Sequence, residues 1–489
     1  MTVTEKAGVS TFKMVNAICF TSTLAIFFAE LLYQGDCQPY QTSSSKSGDA
    51  KKRIFLNDFF DDGIDGTKSS THRFKESSPG LSSRPEISRH DRVLSTHIHD
   101  VMFVVQQRNM KELTLILHDI SDPTSQNYGN HMTRQEIDHL VSDIDSHQEV
   151  IEYLKAAGAT IVIDQFPGEC ITARGSIGLW ERMFDTEFHT YSAPFYGEKD
   201  GINTHIDDKR FFILAEHYSI PLGLDAHLAS VPSVIQMPIF KPQRLPPTFV
   251  APVETSIKSR FSGQTRLVDG YITPQLISNV YNIDDNSGHP RATQAAFEGW
   301  GQMFCPEDLS TFQTLFFLRQ QPVNQTYGNH SVSAAYCRSH GYSICAESNM
   351  DIQLMTSIAD TPTIEYYTDL YYGHFLQSQV YSKKVPPLVI SISYGTEEKY
   401  VTAGEFDLFT NNAIKLSAMG VTIVVASGDD GVMANRIRGH PENCAYTPFY
   451  PASSPYVLAI GGTQVETSSN PSSLKSTHLG AVTLINPYI

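Results

Sequence analysis

Residues 385–395 read V-P-P-L-V-I-S-I-S-Y-G, and residues 421–431 read V-T-I-V-V-A-S-G-D-D-G. Each begins as an apolar run without polar alternation, the pattern of a strand covered on both faces, and each ends in a glycine-bearing turn. Between them, Gly404 to Met419 sets Phe406, Phe409, Ala413 and Leu416 on one helical face, and Gly420 stops the helix. Strand, helix and strand in this order predict a parallel sheet, to which Tyr456–Ile460, closed by Gly461 and Gly462, adds a further strand. Ligands of open parallel sheets sit beyond the carboxyl ends of the strands, where S-I-S-Y-G and A-S-G-D-D-G fall.

Upstream of this sheet, residues 346–358 read A-E-S-N-M-D-I-Q-L-M-T-S-I. On a helix, Met350, Leu354, Met355 and Ile358 fall within about 80° of Glu347, and Asp351 lies about 40° from it. The two acids therefore point inward on an apolar stripe. A carboxylate there is costly unless it is paired, protonated or employed. Asp429 is a third acid, at a strand end. Residue types and spacing leave three uses open: acid–base catalysis, binding of a hard cation, or capping of neighbouring helices.

The 489 residues suggest two or three domains, and 41% hydrophobic with 18% charged residues is globular. A net charge of −16 argues against a nucleic-acid partner and suits solubility in an acidic compartment. Seven cysteines show no C-x-x-C pair, so no metal site is expected on them. Cys305, Cys337, Cys345 and Cys444 allow two disulfides in three connectivities. Lys6 and Lys13 precede an apolar run ending before Glu30, a signal peptide or an uncleaved anchor over residues 1–35, so a membrane contact is expected only if the leader is retained. Asn324-Gln-Thr and Asn329-His-Ser are glycosylation sequons, to be used if the chain enters the secretory route.

Residues 36–88 are rich in Ser, Lys, Asp and Gly and read as a disordered linker. Order is expected from about His97: V-M-F-V-V as a buried strand, a helix over Met110–Ile120, a capping box at Thr133–Glu136 and a second at Ser146–Glu149. The second helix should stop at Gly158, with a strand over Ala159–Ile163. His97, His99 and His118 read as surface or structural histidines. Residues 241–268, proline-rich and basic, read as an interdomain linker open to proteolytic processing.

Taken in order, S-D-P-T-S-Q-N-Y-G-N-H-M-T, I-T-P-Q-L-I-S-N-V-Y-N-I, E-S-N-M-D, S-I-S-Y-G, A-S-G-D-D-G and F-Y-P-A-S-S-P-Y-V-L-A-I-G-G-T make residues 90–465 resemble the sedolisin family of serine-carboxyl peptidases, in its tripeptidyl-peptidase branch. The resemblance implies an α/β fold: a subtilisin-like, mostly parallel sheet with helices on both faces over residues 269–489, preceded by a small α/β activation propeptide with an antiparallel sheet over residues 89–240. It implies a serine-type peptidase precursor that releases tripeptides from free amino termini of polypeptides at acidic pH, in a lysosome, an acidic vacuole or outside the cell, with its own propeptide as inhibitor. Glu347 takes the family's position of general base, Asp351 that of its supporting acid, and Asp429 that of the oxyanion-hole acid, with Asp430 replacing the usual small residue. The family's glycine-threonine-serine segment does not occur in these residues, and neither does its calcium site. The alternative is therefore a non-catalytic homologue that binds or inhibits peptidases through its propeptide.

Overall fold

The computed structural model describes residues 71–237 apart from 80, 82, 83, 85, 86, 167 and 197–204, and residues 273–477 apart from 284–287, 290, 291, 300, 329–331, 341, 342, 369, 370, 430–445, 463 and 467–474. The leader, most of the 36–88 linker, all of 241–268, Asn329, Asp430 and Cys444 lie outside the described residues.

The amino-terminal unit opens with β1 (His72–Ser77) and β2 (Ser88–Arg92), followed by β3 (Ile98–Val105). β1 thus lies inside the stretch read as linker. It pairs antiparallel with β8 (His217–Pro221), and its charged, largely solvent-facing residues explain why composition alone hid it. Helices α1 (Met110–Ser121), α2 (Arg134–Val141) and α3 (Ile144–Ala156) precede β4 (Thr160–Phe166) and β5 (Cys170–Ser176). Then come α4 (Ile177–Phe184), β6 (His189–Tyr196), β7 (His205–Leu214), β8 and β9 (Leu228–Ser230). The strands β4-β5-β3-β9 form one antiparallel sheet and β2-β6-β7 another.

The expected capping box of α2 is present: Glu136 N donates to Thr133 Oγ1 at 3.3 Å and Thr133 N to Glu136 Oε2 at 2.7 Å. The second box is corrected. Asp143 is the N-cap of α3, accepting from Ser146 N at 3.0 Å, while Ser146 lies inside the helix with its hydroxyl 2.9 Å from His227 Nδ1. Gly158, at φ +94°, ends the helix as expected.

In β3, Val101, Phe103 and Val105 pack on α3 and α4, whereas Met102 and Val104 face the other way, toward Leu408 of the following unit. Both faces of the strand are covered. That is why V-M-F-V-V is apolar without alternation.

The second unit contains α5 (Pro274–Tyr281), β10 (Gln294–Glu298), α6 (Pro306–Leu315), β11 (Gln325–Tyr327), α7 (Ala334–His340), α8 (Ser343–Ile358), β12 (Thr363–Tyr367) and α9 (Tyr372–Val380). These are followed by β13 (Val389–Ile392), β14 (Thr396–Glu397), α10 (Ala403–Ala418), β15 (Thr422–Ala426), β16 (Phe449–Tyr450) and β17 (Leu458–Ile460). Six strands, in the order β11-β12-β10-β13-β15-β17, form an all-parallel sheet. Phe297, Ile390, Ile392, Ile423 and Val425 pack toward α9 and α10 on one face, and Ala296 packs toward α8 and α6 on the other. The expected parallel sheet with helices on both faces is what forms.

Helix α10 is shared between the units. Phe409, Ala413 and Leu416 face the parallel sheet, while Leu408, Ile414 and Ala418 pack on residues from β3 and α1 to α2. Met132 N donates to Ala418 O at 2.8 Å, and Thr402 N to Gln236 Oε1 at 2.8 Å. Lys415 Nζ meets Glu169 Oε1 at 2.7 Å, with both side chains at or below 1% exposure. Removing one partner of such a pair strands the other charge in a dry interface. Lys415→Met should therefore cost about 3–5 kcal/mol in urea unfolding, and adding Glu169→Leu should recover most of the loss.

Candidate active site

Glu347 and Asp351 point inward on α8 as expected, at 7% and 2% exposure. The helix is pinned at its start. Cys345 is disulfide-bonded to Cys337, Met303 N donates to Ile344 O at 2.7 Å, and Glu347 N donates to Gln302 Oε1 at 3.2 Å. Asn349 ties the next turn to α6, accepting from Cys305 N at 2.9 Å and donating to Asp308 Oδ2 at 3.0 Å.

The sheet face beneath the helix brings two acids that the residue pattern did not single out. Glu298 ends β10 and Glu365 lies within β12, both at 0% exposure. Tyr394, immediately beyond β13, donates its hydroxyl to Glu298 Oε2 at 2.7 Å. Ser348 Oγ donates to Glu365 Oε1 at 3.1 Å, joining α8 to β12. Burial drives the Glu298 carboxyl well above its ordinary range, and the neighbouring Asp351, Glu365 and Glu347 push it further, against the opposing Tyr394 hydrogen bond. Burial, and after it the carboxyls of Glu298, Glu347 and Asp351, hold the Tyr394 phenol in its neutral, donating form. The chemical reading is a layer of buried carboxyl groups in which Glu298 keeps its proton.

Asp429 follows Gly428, whose φ of +93° turns the chain out of β15. It is half-buried at the same carboxyl edge, two strands along from Glu298 in the order β10-β13-β15, a lateral step of about 10 Å. The structure therefore joins Glu347 and Asp351 into one cluster with Glu298 and Tyr394, and places Asp429 on the edge of the sheet that carries them. Asn324 is exposed at the start of β11, with its Oδ1 accepting from Thr363 N at 3.1 Å.

Among the described residues, Cys305, Asp308 and Cys337 are near enough to one another to consider a metal. The group does not fit calcium, which takes oxygen ligands, and the Cys337 sulfur is committed to its disulfide. Among the described residues no helix is long and apolar enough to cross a membrane.

A six-stranded parallel sheet with buried acids near its carboxyl edge, and an amino-terminal unit of antiparallel sheets packed on its helix α10, define an α/β protein of two units. Residues 85–236 match the family model described as Pro-kumamolisin, activation domain. The chain is 28% identical over 384 residues to Tripeptidyl-peptidase 1 of Homo sapiens, covering 74% of this chain and 61% of that protein. It is 28% identical over 443 residues to Tripeptidyl-peptidase 1 of Dictyostelium discoideum (81% and 67%), and 28% identical over 384 residues to Physarolisin of Physarum polycephalum (75% and 60%). A solved structure of Pseudomonas sedolisin, a serine-carboxyl proteinase complexed with pseudo-iodotyrostatin, aligns with a TM-score of 0.31 and 22% identity over 40% of this chain and 55% of that one. Residues 85–236 thus resemble an activation domain, and over about three quarters of its length the chain is similar to tripeptidyl-peptidase 1 of the sedolisin family. It spans about three fifths of the length of most of these curated relatives (61% of the human protein).

The acid layer is matched elsewhere in the second unit. Glu405 of α10 accepts from Gly373 N at 2.8 Å and from the Tyr450 hydroxyl at 3.0 Å, and burial raises its carboxyl to about 8. A raised carboxyl binds its proton more tightly folded than unfolded. Its contribution to stability is complete below the unfolded value near 4.5 and is lost as pH rises through about 8. The urea midpoint should therefore fall between mildly acidic and mildly alkaline pH, and Glu405→Gln, an isostere of the protonated acid, should flatten that fall.

Proposed function

We propose that the protein is the precursor of a serine-type peptidase that releases tripeptides from free amino termini of polypeptides at acidic pH, and that residues 85–236 are its intramolecular inhibitor. The observation that carries the reading is the cluster of Glu347 and Asp351 with Glu298 and Tyr394 at the carboxyl edge of the parallel sheet, in a chain similar to tripeptidyl-peptidase 1. Glu347 serves as general base toward the serine nucleophile, Asp351 orients and supports it, and Asp429 donates a hydrogen bond to the oxyanion of the tetrahedral intermediate. The nucleophile is not assigned to any residue of this chain.

Acid suits each role. A carboxylate is an effective base when its proton affinity lies near the working pH. An oxyanion-hole acid donates only when protonated. Glu298, held protonated by burial and by the acids around it, sits in the same cluster as Glu347. A leader at residues 1–35, processing within 241–268, glycosylation at Asn324 and Asn329, and residence in an acidic compartment of the secretory route complete the reading. Calcium belongs to the family's pattern and has no assigned ligands among these residues.

The native gene product should cleave a fluorogenic substrate with a free amino-terminal tripeptide in mild acid, and very little at neutral pH. Glu347→Gln should lower turnover by about a million-fold, as loss of a triad base does. Undiminished turnover in that variant would remove Glu347 from the mechanism, and no cleavage by the wild type at any pH would overturn the peptidase reading.

A further inference from the structure

Three sulfurs meet where α6, α7 and α8 converge. Cys305, Cys337 and Cys345, each at or below 2% exposure, share one apolar cluster with Ala334 and Ile344. Cys337 and Cys345 form the disulfide that ties α7 to α8, whereas Cys305 is a free thiol. The Cys305 and Cys337 sulfurs lie within 4.8 Å of each other. A thiol lodged beside a disulfide can attack it as a thiolate, and such an exchange needs no oxidant or reductant.

The contacts around these sulfurs form a triangle of helices. The first turn of α6 holds α7 through Glu307 Oε2, which accepts from Ala334 N at 2.9 Å. It holds α8 through Asn349, which accepts from Cys305 N at 2.9 Å and donates to Asp308 Oδ2 at 3.0 Å. The disulfide closes the third side, from α7 to α8, and enters α8 two residues before Glu347. Cys305 occupies the remaining corner. A bond from Cys305 to Cys337 would move the covalent tie to the α6–α7 side, which Glu307 already holds together.

Local chemistry sets the pace of that move. Cys305 is the N-cap of α6, and its sulfur accepts from Asp308 N at 3.4 Å, a donor that would also stabilise a thiolate. Burial pushes the thiol above its ordinary range and the Asp308 carboxyl adds to the rise, against the N–H groups of Asp308 and Glu307. The thiol is therefore protonated at rest, and exchange runs through a small thiolate fraction that shrinks further in acid. The other free thiol among the described residues, Cys170, lies in the first unit and donates to Gln377 Oε1 at 3.3 Å.

We propose that Cys305 is the third sulfur of an intramolecular exchange at the head of α8: its thiolate attacks the Cys337 sulfur, the Cys337–Cys345 bond breaks, and Cys345 leaves as a thiolate that takes up the proton Cys305 gave. One disulfide and one thiol are present before and after. In the product α8 keeps its hydrogen bonds to residues 302–308 but loses its covalent anchor beside Glu347. The exchange does not depend on the peptidase reading, and its test uses no substrate.

Arg319 and Arg338 place the three cysteines on separate tryptic peptides, so each pairing has its own mass. The full wild-type chain is incubated at about pH 8 without added thiol or oxidant, quenched in acid, alkylated with a maleimide in denaturant, digested without reduction and mapped by mass spectrometry. A rising share of Cys337–Cys345 with alkylated Cys305 should give way to Cys305–Cys337 with alkylated Cys345. The plateau should not change on dilution, and at about pH 5 the conversion should be about tenfold slower or more. Cys345→Ala fixes the product: Cys305 and Cys337 should be joined in the purified protein, and the amides of the first turns of α8 should exchange about tenfold faster than in the wild type. A wild-type chain that keeps only Cys337–Cys345 through the incubation would overturn the proposal, as would a bond from Cys305 to Cys345, Cys444 or any other cysteine. Undiminished protection of α8 in a folded Cys345→Ala protein would sink the loss of the anchor, and the wild-type map decides where that variant does not fold.

Discussion

The second unit is organised by the need to keep four carboxyl groups in one dry layer between α8 and the parallel sheet. Glu298 and Glu365 rise from neighbouring strands, and Glu347 and Asp351 descend from the helix, all at or below 7% exposure. Each ionised acid in such a place costs several kcal/mol unless it is hydrogen-bonded or shares a proton. The neighbours answer that need: Tyr394 donates to Glu298 and Ser348 to Glu365. The same need explains why α8 is held so firmly. A disulfide, a backbone contact from Met303 and the Asn349 bonds all fall within its first turns, where a small slide of the helix would carry Glu347 away from the sheet edge.

A second dependence runs through α10. Gly404, Glu405, Leu408, Phe409, Asn412, Ala413, Ile414, Lys415, Leu416 and Ala418 are all buried, because the parallel sheet covers one side of the helix and the activation domain covers the other. Lys415 would normally turn to water; here it faces Glu169 and Tyr381. An amphipathic helix has become a helix buried all round. If the activation domain leaves, Leu408, Ile414, Ala418 and Lys415 lose their cover, so this face of the mature unit must tolerate solvent.

The residues announced much of this and concealed a particular part. The strands β13 and β15 and helix α10 were legible because their apolar runs and their helical spacing have no competing reading. Glu347 and Asp351 were legible because helical geometry places two acids on an apolar stripe. Glu298 and Glu365 were not. A glutamate closing Q-A-A-F-E or set within T-I-E-Y-Y reads as a solvated strand residue, and the alternation that puts Gln294, Ala296 and Glu298 on one face becomes visible only once α8 is known to cover it. Asp143 displaced Ser146 as the cap of α3 because an aspartate three residues earlier accepts from Ser146 N and so starts the helix almost a turn sooner. β1 was hidden for a different reason: as one strand of a two-stranded sheet it needs little apolar surface.

Proton uptake and folding are linked in the parallel-sheet unit. Burial raises the carboxyls of Glu298 and Glu405, so each proton that they bind favours the folded form. Tyr394 donates to the first and Tyr450 to the second, and burial keeps both phenols in the donating form. Acid thus tightens the core that holds Glu347, because each raised acid already has a donor in place and gains from staying neutral in a site that water does not reach.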